Sequence, residues 1–389
     1  MGMTERTYLD YNATAPLRPQ VRDMLVRVLE HVGNASSVHR EGRAARGIVE
    51  RARDHVAALV GAQAKNVIFT GSGSEANNLV LAPGFRLAKG APAQKLLVGA
   101  GEHPCVLDGH RFDADACERI PLRADGIIDL AWLEARLAAL GDTPVLVSIQ
   151  LANNETGAIQ PVAEAAALVK AHGGLIHCDA VQAAGKIAVD IAALGVDALT
   201  LSAHKLGGPQ GVGALVLAGE GYVLDRLVRG GGQERNWRAG TENVAGIAAF
   251  GEAGRLALEA LAEEEPRLRD LRAEFEAVIR DICPDAVIFC EDAPRLPNTI
   301  LFAVPGKRAE TALIALDLNG AALSSGSACS SGKVKSSHVL EAMGVDPALA
   351  ETALRLSFGW NTQKDAVTHF TAAFARLLSN RNQSSECAA

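Results

Sequence analysis

At 389 residues, 48% hydrophobic and 21% charged, the chain is long enough for two domains and a large core. A formal net charge of −7, no long basic run and only 4% aromatic residues argue against a nucleic-acid partner or an anionic membrane surface. No apolar run reaches the roughly 20 residues that cross a bilayer, and MGMTERTYLDYNATAP lacks a signal peptide's apolar stretch, so a reducing, cytoplasmic setting is expected.

From about residue 45 to 260, short apolar runs alternate with helical patterns. The runs VIFTG, KLLVGA, PVLVSIQLA, LIHCD, ALTLS and GALVLA predict buried strands of a mostly parallel sheet covered by helices. In VIFTGSGSEANNLVL a strand leads through Gly71 and Gly73 into a helix expected to begin at Ser74. The free N–H groups of such a helix start attract an anion, although a plain turn has the same signature. The match to GxGxxA is a weak dinucleotide-binding signal, because the acid expected about 20 residues later is missing. EHPC places His103 at the next strand end, with Pro104 stopping the strand. LANNETG places Asn153 and Asn154 at another; they suit a turn or a hydrogen-bonding site equally. AIQPVAEAAALVKAHGG predicts a helix between Pro161 and Gly173.

Asp179 ends LIHCD and Lys205 follows ALTLS, so both project from the carboxyl edge of the sheet, where open α/β folds collect ligands. A strand-end salt bridge is one reading of this pair. The other is pyridoxal phosphate, which needs a lysine to hold it as a Schiff base and a carboxylate at its ring nitrogen. Gln182, Ser202 and His204 add polar groups at the same edge. Further on, residues 255–280 predict one or two connecting helices interrupted at Pro266. NTILFAV, an apolar helix near 310–318 and ALRLSFG then suggest a smaller α+β unit. Arg355 in ALRLSFG sits in an apolar strand and needs an anion, for which a substrate carboxylate is suited.

The seven cysteines are irregularly spaced and include no CxxC pair, so neither a metal site nor a disulfide framework is expected. Cys178 reads as a core residue inside a strand. Cys329, in ALSSGSACSSGK, stands in a Ser/Gly-rich stretch with Lys333 and Lys335 nearby, the setting of a nucleophile or of a tolerated surface thiol.

Together these segments resemble the cysteine desulfurases of the NifS/IscS type, almost end to end. The resemblance rests on YLDYNATAP, GNASSVH, FTGSGSEANN, EHPCVLD, NNETG, HCDAVQAAGK, SAHKLGGPQGVGAL, GGGQERNWRAGTEN, SSGSACSSG and LRLSFG. It implies a fold-type I pyridoxal-phosphate enzyme with a large, mostly parallel seven-stranded sheet domain (residues 14–260) and a smaller α+β domain (1–13 and 261–389) carrying the cysteine loop. It also implies a homodimer that removes sulfur from L-cysteine to leave L-alanine and hands it to an acceptor or iron–sulfur scaffold protein.

By position, the resemblance has Lys205 hold the cofactor, Asp179 face its ring nitrogen and His103 stack on it. Asn154 and Gln182 would bond the phenolic oxygen. Gly73, Ser74, Ser202 and His204 would hold the phosphate, joined by Thr241 from the other subunit. Arg355, Asn34 and Asn154 would hold the substrate carboxylate, and Cys329 would take the sulfur. KVKSSHVL departs from the more usual SLEPSHVL, which leaves the acceptor open. The alternatives are a selenocysteine lyase or another pyridoxal-phosphate lyase or aminotransferase. More distant are an NAD-dependent oxidoreductase and a non-catalytic iron–sulfur scaffold, for which grouped cysteines are missing.

Overall fold

The computed structural model describes residues 6–326 and 337–379. Its centre is a seven-stranded sheet: β1 (Val67–Thr70), β2 (Lys95–Gly99), β3 (Cys117–Ile120), β4 (Val145–Ser148), β5 (Leu175–Asp179), β6 (Ala198–Ser202) and β7 (Gly213–Leu217). The spatial order is β1-β7-β6-β5-β4-β2-β3. All pairings are parallel except those of β7, which runs against both β1 and β6. The carboxyl ends of β1, β2, β4, β5 and β6 therefore open on one edge, as the strand-end argument expects.

Alternation along the strands covers both faces. Val67, Phe69, Leu97, Val147, Ile176, Cys178, Leu199 and Val216 belong to one buried cluster, and Ile68, Leu96, Val98, Leu146, Ala198 and Leu215 to another. Burial on both faces is why these strands read as continuous apolar runs. The principal helices are α1 (Pro19–Leu29), α2 (Arg40–Leu59), α3 (Gly73–Val80), α4 (Leu130–Leu140), α5 (Val162–Ala171), α6 (Val244–Ile282), α7 (Ala309–Leu318) and α8 (Asp365–Ser379).

Residues 255–280 lie within a single helix rather than an interrupted one: α6 runs 39 residues through Pro266, about 58 Å at the usual rise. Proline removes one hydrogen bond to the carbonyl four residues back and costs roughly 3 kcal/mol in a helix interior. Packing on both sides of it offsets that cost. Ile247, Ala249, Phe250 and Ala253 are buried against the main sheet's helices, and Leu268, Leu271, Phe275 and Ile279 enter a separate cluster. That second cluster is built on a three-stranded antiparallel sheet, β8 (Val287–Ile288), β9 (Thr299–Ala303) and β10 (Ala353–Ser357), with α7 and α8. Among the described residues no helix is long and apolar enough to cross a membrane.

Candidate active site

The common edge of β1, β2, β4, β5 and β6 surrounds a cavity of about 260 Å³, lined among others by Gly73, Ser74, His103, Asn154, Asp179, Gln182, Ser202, His204 and Lys205. Nine of the residues expected at the site thus meet in one place.

The cavity floor is the start of α3. Ser72 caps the helix, its hydroxyl accepting from Glu75 N at 3.0 Å, and its carbonyl accepts from Ala76 N. The helix begins at Gly73, one residue earlier than the sequence suggests. That leaves the N–H groups of Gly73 and Ser74 aimed out of the helix end, where they favour an anion. Space at 73 is tight: a Cβ there would lie 3.1 Å from Val181 Cγ2 and 3.2 Å from Ser202 Cβ, so a side chain would have to push one of them back. His204 faces the same corner with Nδ1 3.2 Å from Thr14 Oγ1, and burial pushes its imidazole down to about 4.

Asp179, the last residue of β5, is held on both oxygens. Oδ1 accepts from Val181 N at 2.9 Å and Oδ2 from Asn77 Nδ2 at 2.7 Å. Asn77 is oriented in turn by Thr200, whose hydroxyl donates to Oδ1 at 2.7 Å. Two bonds fix the position of the carboxylate, which can thereby meet a partner carrying a proton on a ring nitrogen. His103 caps a short helical turn, accepting from Cys105 N on Nδ1 at 3.1 Å, so its Nε2 edge is free to face the cavity. Burial lowers the His103 pKa, against the opposing pull of Asp179, so the ring is neutral at neutral pH.

Lys205 lies in the turn Ala203–Lys205 just after β6. Its Nζ donates to the carbonyls of Asn12 and, at 2.8 Å, Ala13. Burial first, and then the Arg355 charge, bring its amine down to about 8. The Asp–Lys salt bridge is not what forms: Asp179 and Lys205 face the cavity with separate partners. A lysine poised to react, a fixed carboxylate, a stackable imidazole and an open anion cradle fit a phosphorylated pyridine aldehyde.

Arg355 is buried on β10 but does not line this cavity. Its Nη2 pairs with Asp10 Oδ1 at 2.6 Å and its Nη1 donates to the Asn154 carbonyl at 2.9 Å; Nε has no partner among the described residues. The anion that its burial demands is, in this structure, Asp10. Asn34 and Thr241 are exposed and neither lines the cavity; their neighbours Gly33 and Glu242 line one groove of about 480 Å³. Cys329 lies outside the described residues.

Other residues of the site were not singled out from the sequence. Asn77 and Cys105 lie inside the quoted stretches GSGSEANN and EHPC, yet nothing local marks them as touching Asp179 or the cavity. Burial and the Asp179 charge push the Cys105 thiol up to about 12, so it is not a thiolate. Asn153 serves the turn reading, its Oδ1 accepting from Glu155 N and Thr156 N at 2.8 Å.

The aminotransferase class-V family profile matches residues 7–370. The cysteine desulfurase IscS of Dictyoglomus turgidum is 38% identical over 380 residues, covering 97% of this chain and 95% of that protein. An IscS-like cysteine desulfurase of Mycobacterium tuberculosis is 38% identical over 359 residues, covering 90% and 91%. Among solved structures, a NifS-like protein of Rickettsia africae superposes with a TM-score of 0.87 at 33% identity, covering 96% of this chain and all of that one. DndA of Streptomyces lividans gives 0.70 at 30% identity, covering 91% and 99%. With likeness of this extent and a site built for pyridoxal phosphate, the chain belongs to the aminotransferase class-V family and, within it, to the cysteine desulfurases of the IscS/NifS type.

Proposed function

We propose that the chain converts L-cysteine to L-alanine and passes the sulfur, as a persulfide on Cys329, to an acceptor protein, with iron–sulfur assembly as the expected destination. The observation that carries this reading is the meeting of Lys205, Asp179, His103 and the open start of α3 around one cavity, in a chain of this family. Pyridoxal phosphate, when bound, supplies an electron sink for the substrate carbon.

Lys205 holds the cofactor covalently, and Asp179 keeps the ring nitrogen protonated through the orientation that Asn77 imposes. Gly73, Ser74, Ser202 and His204 take the phosphate, with Thr241 of a second subunit completing the set. Asn154 and Gln182 reach the phenolic oxygen, and His103 stacks on the ring. Arg355 binds the substrate carboxylate with Asn154, and with Asn34 brought in from a second subunit. Both ends of its guanidinium are already engaged, so that carboxylate must displace or join Asp10. Lys205 Nζ, brought down to about 8, can hold or release a proton near neutral pH, and His103 is a neutral acceptor beside it.

Cys329 Sγ attacks the substrate sulfur. An S–S bond forms, the C–S bond breaks with its electron pair left on the carbon side, and protons delivered there complete alanine. We place the two domains at 14–260 and at 1–13 with 261–389, a division supported by the two apolar clusters joined through α6. The cytoplasm is the proposed setting, supported by five unpaired thiols among the described cysteines. Mass spectrometry and an alanine assay on Cys329→Ser test the reading. The variant should keep the cofactor's visible absorption, release no alanine above background and carry no added sulfur. Desulfuration at the parental rate would overturn the role of Cys329, and selenide released in preference to sulfide would favour a selenocysteine lyase.

A further inference from the structure

Lys186 is a buried amine without an acid. The residue is 7% exposed. Nζ donates to Gln182 Oε1 at 2.8 Å and to Asn12 Oδ1 at 3.0 Å. Among the described residues no carboxylate pairs with it; the nearest charges that act on it are Lys205 and Arg355, which both repel a proton there. Burying a lysine in such company is costly, and none of the roles assigned above uses it.

What a lysine offers two side-chain amides is direction. An amide presents a carbonyl on one side and an NH2 on the other, and a lysine N–H can satisfy only the carbonyl. Lys186 occupies Gln182 Oε1, so Gln182 Nε2 is turned away from it, to the Asn12 carbonyl at 3.0 Å. That same carbonyl receives Lys205 Nζ. Lys186 also occupies Asn12 Oδ1, which turns Asn12 Nδ2 to the Asn154 carbonyl at 3.2 Å and to Thr299 Oγ1 at 2.9 Å. The amine thus sets the sense of the Gln182 amide and, together with Asn298 Nδ2 at 3.4 Å from the same oxygen, that of Asn12; a ring of bonds runs Lys186–Gln182–Asn12, with Lys205 joined to it at the Asn12 carbonyl.

We propose that Lys186 is a positioning residue: it commits Gln182 to present the second N–H of its NH2 (the first being on the Asn12 carbonyl), and not its own carbonyl, to the phenolic oxygen of the cofactor. This rests on the assignment of Gln182 to that oxygen. A reversed amide would set a carbonyl against an electron-rich oxygen, replacing an attraction by a repulsion. A donor on the phenolic oxygen draws electron density from the linkage at Lys205 Nζ and lowers its proton affinity. Losing that donor raises it. The other charged or titratable groups acting on Lys205, namely Arg355, Asp10, Asp179 and Cys105, and the imidazoles His103 and His204 that feel its charge, are unchanged by the substitutions below.

The test uses the cofactor-loaded protein and two readouts: the pH titration of its visible absorption, and cofactor retention by equilibrium dialysis. Lys186→Met keeps the aliphatic stem and removes every donor. It should weaken retention about tenfold, the worth of one hydrogen bond to a charged group, and move the titration midpoint upward. Gln182→Leu should move both in the same direction, and the double variant should move them no further than Gln182→Leu alone. Should Lys186→Met not fold, Lys186→Gln replaces it; its shorter arm can turn either an NH2 or an oxygen toward Gln182, so its midpoint should fall between those of the parent and Gln182→Leu. A Lys186 variant with the parental midpoint, or a double variant with additive shifts, overturns the proposal while leaving the assignment of Gln182 intact. Parental behaviour of Gln182→Leu overturns that assignment and the proposal with it.

Discussion

Lys205 is a buried amine whose neighbours hold its proton loosely, and this sets a pH dependence that can be measured before any turnover. The unprotonated amine is the form that captures an aldehyde. With its pKa lowered from 10.5 to about 8, chiefly by burial, the fraction able to react grows as pH rises and levels off above about 8. Stopped-flow reconstitution of the cofactor-free protein should therefore show a midpoint near 8; a midpoint near 10, that of an ordinary lysine, would refute the burial argument. Asp179 acts through charge at a fixed point, so Asp179→Asn should retain the fold and some cofactor yet lose on the order of 10²-fold or more in turnover, the usual loss for one preorganised electrostatic partner. Near-normal turnover would remove the ring-nitrogen role. Both residues were legible in the sequence because each follows an apolar run and must emerge at the strand's end. Asn77 and Lys186 were not, since what gives them a role is contact with Asp179 and Asn12, far away along the chain. Arg355 was legible as a buried cation in need of an anion, but Asp10 as its partner was not.

At the scale of elements, the anion cradle depends on how closely β7 passes behind the turn that starts α3. A Cβ on Gly213 would lie 2.4 Å from the Ser72 carbonyl carbon and 2.7 Å from Gly73 N, all backbone atoms that cannot rotate aside. Gly213→Ala should push the turn and spoil the direction of the Gly73 and Ser74 N–H groups. We expect cofactor retention to fall about tenfold or more, measured by dialysis, with circular dichroism still that of a folded α/β protein. Unchanged retention would mean the cradle tolerates displacement. The sequence marked the glycines of GSGSEA but not Gly213, whose need arises from a neighbouring strand. Pro266 shows the converse, a local signal overridden by packing. Because α6 continues through it, Pro266→Ala restores the missing helix bond and should stabilise the protein, by about 1–3 kcal/mol at most. A rise in Tm is the expected outcome; a fall would show that the surroundings are adapted to the proline ring.

For the whole molecule, two expected site residues stand outside the cavity, and their location argues for a second copy. Asn34 lies in the segment joining α1 to α2, and Thr241 stands three residues before the first residue of α6. Around Asn34 the chain exposes an unusual amount of apolar surface: Val26, Leu29, Val32 and Val38 are 51%, 68%, 82% and 84% exposed. Adjacent exposed aliphatics of this kind commonly mark an interface. The groove beside them, lined by Val28, Val32, Glu242 and Val244, adjoins both Asn34 and Thr241. A dimer formed over this face would bury the aliphatics and carry both polar residues toward another subunit's cavity, whereas a monomer leaves them with no site to serve. Val32→Asp places a charge in the middle of that surface without touching the cavity's own lining. Light scattering at micromolar concentration should give the parent as a dimer and the variant as a monomer. If Thr241 completes the phosphate set across the interface, the monomeric variant should also lose cofactor during dialysis. A parent that is monomeric and fully active would end the shared-site reading, and a monomeric variant that holds its cofactor as tightly as the parent would restrict the interface to assembly alone.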